Sequence, residues 1–314
     1  MRLPSNTYTA FMRALLALVL VTAMASCGGG HRKPVVVENP YISQAQDFIN
    51  NGKIAMQQER WQAAEGSFSR ALLAAQLADD TSLVGQSWYN IGVARAGMGI
   101  SLQAEDAFNR AIRLAGRHKY DVMQMRARLA LILLRLRSNM QGSDFMPDEL
   151  LSRQNWPADI YLQAARIMQL QKQPEQAKHA YDVVLNLKGK GRIVLKMKAE
   201  AHMGLALLAK SAGKIVEAQS QADKTLALCH RIGAARLTAH ALLLKGQLPA
   251  ESNKNNRRRD ELERALDIYS VLKDIRGQKQ SLAHLNSLAK ETEDEQARKR
   301  IQLRLRTLND KLEQ

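Results

Sequence analysis

The chain has 314 residues, of which 46% are hydrophobic and only 5% aromatic, and it carries a formal charge of +16 at pH 7. Abundant Ala and Leu with few aromatics fit helices packed through small contacts and argue against an aromatic-rich sandwich. No stretch sustains a two-residue alternation of β-branched side chains, so no sheet is expected, and the charge favours anionic surfaces or acidic partners.

In chain order, the first feature is an uncharged apolar stretch, Ala14 to Ala23, preceded by Arg13 and followed by Met24-Ala25-Ser26-Cys27. A basic start, an apolar core and small residues before a cut describe a secretory signal. The run is about a dozen residues, short of the roughly 20 that span a bilayer. The Met24–Cys27 run resembles the lipobox of bacterial lipoprotein signal peptides. That resemblance implies that residues 1–26 are removed, with Met12 as an alternative start, and that Cys27 is diacylated and becomes the first residue. Two acyl chains give stable anchoring, and Gly28 after the cysteine implies the outer membrane, facing the periplasm. Removal of 1–26 takes away Arg2 and Arg13 and lowers the charge from +16 to +14. Residues 27–40 contain Gly28-Gly29-Gly30, Pro34 and Pro40 and are expected to form a tether without helix.

From Tyr41 onward the pattern turns helical and repeats. Phe48, Asn51, Gly52, Ala55, Trp61, Ala64, Phe68 and Ala71 match Trp88, Ile91, Gly92, Arg95, Ser101, Ala104, Phe108 and Ala111 at a constant shift of 40 residues. Small residues at Gly52, Ala64, Gly92 and Ala104 let two helices approach, and Phe68 and Phe108 fill the space that they open. The pattern resembles the tetratricopeptide repeat (TPR), in a variant with longer helices. Weaker copies follow at Tyr161, Ala164, Ala165, Met168, Ala177, Tyr181 and Val184, and at Leu205, Ala206, Ala209, Gly213, Ala218, Ala222 and Thr225. Further pairs are expected at 234–248 with 260–273, across a turn that includes Arg257-Arg258-Arg259, and at 277–290 with 293–314. Between Ala111 and Pro157 the unit degenerates: Val122 to Arg137 is a strong helix, but Gly142, Pro147 and Pro157 leave only Glu149–Arg153 as its partner.

The expected fold is therefore all-α: a right-handed superhelical solenoid of about six TPR-like hairpins over residues 41–314, with the third hairpin degenerate. At its end, Thr292 and Glu295 read as a capping box, with Glu293 and Asp294 in the first turn. Ala297, Ile301, Leu305, Leu308 and Leu312 form one apolar stripe, which either caps the array or docks a partner.

Residues suited to catalysis do not gather. The seven histidines fall into no metal-ligand spacing, and Leu187-Lys188-Gly189-Lys190-Gly191-Arg192 lacks the strand and spacing of a phosphate-binding loop. No metal, cofactor or enzymatic activity is expected; the irregular Asp144–Trp156 segment, with Asp148 and Glu149, is the weakest of the alternatives. Cys229 reads as a small buried hydrophobe, so no disulfide is expected.

Binding is the more natural chemistry. Resemblance to TPR arrays implies that inner faces of first helices hold an extended segment of a partner. The family's positions fall here on Gln46, Ile49, Lys53, Met56, Gln86, Tyr89, Val93, Asp159, Leu162, Arg166, Met203, Leu207 and Lys210. Asn90 matches one position of the subfamily that clamps a C-terminal carboxylate, while Ile49 and Lys53 depart from that clamp. Two basic zones stand beside them: Arg110, Arg113, Arg117, Lys119, Arg126, Arg128, Arg135 and Arg137, and then Lys188, Lys190, Arg192, Lys196 and Lys198. The candidates for partner contact are Lys53, Gln86, Tyr89, Asn90, Arg126, Arg166 and Lys210. Nucleic acid is disfavoured, because base-stacking aromatics do not interleave with the basic residues. The resemblance implies a lipid-anchored scaffold that binds proteins of a cell-envelope assembly: pilus, secretion, outer-membrane or cell-wall machinery. The alternative is a module for an anionic envelope component, a cell-wall polymer or lipopolysaccharide.

Overall fold

The computed structural model describes residues 39–58, 60–138, 156–249 and 255–313. Cys27, the signal and most of the tether lie outside the described residues, as do Glu149–Arg153 and the Asp144–Glu149 carboxylates. Thirteen helices and no strand occur among the described residues. They are α1 (Pro40–Gln57), α2 (Trp61–Leu77), α3 (Thr81–Gly97), α4 (Ser101–Arg117), α5 (Asp121–Arg137), α6 (Ala158–Leu170) and α7 (Pro174–Leu185). After them come α8 (Arg192–Ser211), α9 (Ile215–Ile232), α10 (Ala235–Gln247), α11 (Asn255–Val271), α12 (Ile275–Glu291) and α13 (Glu295–Glu313). Pro40 and Pro174 each occupy the opening of a helix, where a missing N–H costs nothing.

Six hairpins pair α1 with α2, α3 with α4, α6 with α7, α8 with α9, α10 with α11 and α12 with α13. The chain is thus a helical-repeat superhelix of TPR-like units. Contacts between next-but-one helices join first helices of successive hairpins: α1 to α3, α3 to α5, α6 to α8, α8 to α10 and α10 to α12. First helices therefore line the tighter, inner side of the curve.

Packing of the first two hairpins follows from residue size. A Cβ added to Gly52 would stand 2.4 Å from the Phe68 ring, and one added to Gly92 would stand 2.6 Å from the Phe108 ring. Phe68 is fully buried and Phe108 nearly so, each a side chain whose burial contributes about 1.5–3 kcal/mol. Ala64, Ala71, Ala104 and Ala111 are fully buried beside them, while Trp88 is partly buried with Arg110 stacked 4.7 Å over its ring. The period extends to charge: Arg95 pairs with Glu65 at 2.6 Å and, 40 residues on, Arg135 pairs with Glu105 at 2.5 Å.

Turns are as regular as helices. Asp79, Gly99, Lys119, Lys172, Gly213, Gly233, Lys273 and Glu293 each take a positive φ just after a helix. The following residue donates its N–H five residues back, as Ile100 to Arg95 and Tyr120 to Ala115 at 3.0 and 2.9 Å. This Schellman closure satisfies the helix-end carbonyls and reverses the chain within three residues.

α5 has no second helix among the described residues and packs between the hairpins on either side, with Leu131 and Leu134 beside Ala104 and Phe108 of the preceding one. Leu129 joins a buried cluster with Ile160, Ile167, Met168, Tyr181 and Leu205, against which Val122, Met125 and Leu136 pack. Arg126 donates to both carboxylate oxygens of Asp159, at 2.6 and 3.0 Å, and so ties α5 to the start of α6.

Two local expectations are corrected. α11 begins at Asn255 rather than Asp260, so Arg257, Arg258 and Arg259 lie in the helix and not in an enlarged turn. Their acid partners come from within the helix and from the final hairpin: Glu261 at 3.2 Å, Glu291 at 2.9 Å and Asp294 at 3.4 Å. The cap of α13 is Asp294, whose carboxylate accepts from the Ala297 N–H at 2.9 Å. Thr292 instead ends α12, with its hydroxyl donating to the Leu288 carbonyl, and Glu293 occupies the left-handed turn. A carboxylate one residue before the helix out-competes the Thr–Glu pair for the exposed N–H groups. Along α13, Ile301, Leu305 and Leu308 pack against the α10–α12 cluster, which makes the stripe a cap; Leu312 lies outside the described side chains. Cys229 is buried, forms no disulfide, and burial pushes its thiol up to about 11.

Candidate partner-binding groove

Because first helices line the inner side, their groove-facing side chains converge on one cavity of about 990 Å³. This is the upper end of the range for ligand pockets. α3 contributes Tyr89 and Val93, α5 contributes Leu133, Leu134 and Arg137, and α6 contributes Gln163 and Arg166. Across the space stand Arg236 and His240 of α10 and Arg276 and Gln280 of α12, while Trp61 and Phe108 reach it from second helices. The curve of the superhelix thus brings α3–α6 opposite α10 and α12.

One wall is apolar. Tyr89 leans on Phe108 with ring centroids 6.0 Å apart, beside Val93, Leu133 and Leu134. Burial raises the Tyr89 hydroxyl above its ordinary value, and that hydroxyl bonds Gln163.

The opposite wall and the rim are cationic. Arg236 is neutralised by Asp274 at 2.9 Å, a carboxylate that also caps α12 by accepting from the Gly277 N–H at 2.9 Å. Arg166 holds Glu200 at 3.2 Å. Arg137 is held below its ordinary value first by burial and then by the neighbouring cations Arg166 and Arg276. Burial likewise lowers His240, whose ring lies 5.8 Å from that of Tyr269, and so disfavours its charged form.

Among the sequence-derived candidates, Tyr89 and Arg166 line this groove. The others do not. Asn90 is 5% exposed, turned into the packing between helices, and its Nδ2 has no hydrogen-bond partner among the described residues. Arg126 is committed to Asp159, and Lys210 donates to the Gln247 side chain. Gln86 is half-buried and Lys53 exposed, both away from the cavity lining. Arg236, His240 and Arg276 were missed, because repeat spacing alone does not show which distant helices face each other.

Three of the seven arginines of the first basic zone find acids inside the fold: Arg110 with Asp106 at 2.8 Å, Arg126 with Asp159 and Arg135 with Glu105. The second zone runs through the 186–191 turn into α8 and does not reach the groove. Among the described residues, no group of three or more His, Cys, Asp or Glu side chains is placed to hold a metal ion. No described helix is long and apolar enough to cross a membrane.

No protein-family model matches the chain, and no curated protein matches it. Solved structures do. The apo form of the quorum sensor NprR from B. thuringiensis superposes with a TM-score of 0.62 at 15% identity, over 85% of this chain and 77% of that one. Pseudomonas aeruginosa PilF gives 0.41 at 15% identity over 86% and 94%, and the apo form of RapI gives 0.46 at 10% identity over 98% and 96%. At such identities the likeness to NprR is one of fold.

Proposed function

We propose that this chain is a membrane-anchored adaptor whose inner groove binds a segment of a protein partner in a cell-envelope assembly. Lipid on Cys27 holds it to the outer membrane, facing the periplasm, residues 28–40 give reach, and the repeat array presents the groove. The observation that carries the binding part is the groove itself: an apolar wall and polar side chains converge in one concave space built from five first helices. The observation that carries the anchor is the Met24–Cys27 run behind a short apolar stretch. Pilus, secretion, outer-membrane and cell-wall machines are the candidate assemblies.

The groove reading is tested by placing a photo-crosslinking amino acid at Val93 or Gln280 and irradiating in an envelope extract. Adducts at these positions, absent when the probe sits at exposed Leu73 on the outer α2, support it; equal labelling from both faces sinks it. For the anchor, Cys27→Ala should abolish labelled-palmitate incorporation and release the chain from the membrane fraction. A second reading, a module for an anionic cell-wall polymer or lipopolysaccharide, is favoured by the groove arginines. Such a contact weakens steeply with salt, whereas a groove-and-segment contact largely survives.

A further inference from the structure

Ten of the 23 arginines among the described residues hold a carboxylate. Arg95, Arg110, Arg126, Arg135, Arg258 and Arg259 each hold a carboxylate from the same or a neighbouring helix. In the groove Arg166 and Arg236 are paired in this way, but two further arginines are not. Arg137 and Arg276 line the cavity from opposite sides, and neither has a carboxylate within ion-pair distance among the described residues. The nearest groove acid, Asp274, is 6% exposed at its side chain and already shared between Arg236 and the α12 N-terminus. Arg137 feels both Arg166 and Arg276 as repulsive neighbours. The space between these cations is therefore a focus of positive potential, and no carboxylate of the described residues fills it.

The apolar wall narrows the chemistry of what fits. A guanidinium accepts a carboxylate or a phosphate equally well as a forked partner. A phosphate polymer would set anions and sugars against Tyr89, Val93, Leu133 and Leu134, at a desolvation cost with no return. An extended protein segment sends alternate side chains to opposite sides every roughly 3.3 Å, and so can meet both walls at once. We infer that the groove takes an extended acidic segment of a partner protein, with one carboxylate held between Arg137 and Arg276 and an apolar side chain against the Tyr89–Leu134 wall. This rests on the segment-binding reading above. The shared carboxylate also joins hairpins far apart in sequence, so occupancy draws α5 and α12 together and replaces their repulsion by a bridge.

The test is to pan a random ten-residue peptide display library against the full chain in detergent. Enriched sequences should be rich in Asp and Glu and carry a large apolar residue. The double variant Arg137→Gln/Arg276→Gln should bind the best acidic peptide at least about 100-fold more weakly, the loss expected when two charged hydrogen bonds go. Both residues are exposed and repel each other, so the double Gln change should not lower the thermal midpoint or the helicity. Panning Arg137→Glu/Arg276→Glu should switch the enrichment to basic peptides, a result that a merely structural role does not give. Enrichment of neutral or basic peptides by the native chain, or an acidic preference that survives the double Gln variant, overturns the inference and leaves segment binding standing. If no peptide is enriched while polyphosphate binds and loses affinity on the double Gln change, both the inference and the segment-binding reading fall.

Discussion

The hairpins of α1–α4 and those from α6 to α13 solve the same packing problem with different partners. In the first two, an aromatic ring of the second helix sits on a glycine of its own first helix, Phe68 on Gly52 and Phe108 on Gly92. Farther along, the rings turn outward to the neighbouring hairpin: Tyr181 of α7 covers Gly204 of α8, and Tyr269 of α11 covers Gly277 of α12. Within α10/α11 the glycine–large pair survives with an aliphatic, Leu262 on Gly246, again 16 residues apart, while α8/α9 carries two fully buried small residues, Ala206 and Ala222, at the matching places. The 16-residue spacing thus recurs, while the residue type and the volume that fill it change. The early hairpins set a ring on their own first-helix glycine and, through Trp61 on Gly97, on the next hairpin as well, whereas Tyr181 and Tyr269 meet a glycine only in the next hairpin.

The sharpest way to break this contrast is to empty the site. Phe108→Ala should cost about 3–5 kcal/mol, as for other buried aromatics, whereas Thr225→Ala, which removes a smaller side chain, should cost under about 2 kcal/mol. Urea denaturation followed by circular dichroism measures both. A Phe108→Ala cost no larger than that of Thr225→Ala would show that the ring on Gly92 carries no such weight.

Filling the site instead of emptying it should also destabilise. Gly92→Ala drives a methyl to within 2.6 Å of the Phe108 ring and should cost about 1–3 kcal/mol. Phe108→Leu, by shortening the opposing side chain, should recover part of that loss in a double-mutant cycle. Gly66 of α2 is the control, since a Cβ there meets nothing within 4 Å. Gly66→Ala should gain about 0.5–1 kcal/mol through helix propensity alone. A glycine's effect therefore changes sign between two neighbouring helices.

The smallest expected effect is of pH. His202, His240 and His284 are all lowered from 6.5, in each case first by burial. Their unfolded forms bind protons more readily than their folded forms. The stability they allow is therefore complete above about 6.5 and lost progressively as pH falls below it toward the lowered folded values. The thermal midpoint should drop across that window, and His240→Gln together with His284→Gln should flatten the slope. These two histidines sit in the later hairpins, so the drop should appear first in hydrogen exchange of α10–α12 rather than α1–α4.

How far the sequence discloses this molecule depends on the range of the force involved. Gly52, Ala64 and Phe68 and their copies 40 residues on are legible because helix-pair packing is local and repeats its size pattern. The start of α11 is not, because Arg258 and Arg259 are held by Glu291 and Asp294, acids of a later hairpin that composition near Pro249 does not reveal. For the same reason Asp294 displaces the expected Thr292 cap. Tyr89 and Arg166 are found by their place in the repeat, but Arg276 and His240 enter the groove only through accumulated curvature. Asn90 shows the opposite failure: a matched position, one residue from the groove-lining Tyr89, points inward and is buried.

The three-residue Schellman turn has a kinetic consequence. A chain whose reversals are that short forms nearly all its contacts between segments close in sequence, and such topologies fold fast and without waiting for distant partners. Each hairpin can nucleate as it becomes available and pass order to the next. For a polypeptide that is made from its N-terminus, α1 and α2 would close before α12 and α13 had emerged. The groove, whose two walls come from opposite ends of the array, would then be the last part of the molecule to exist.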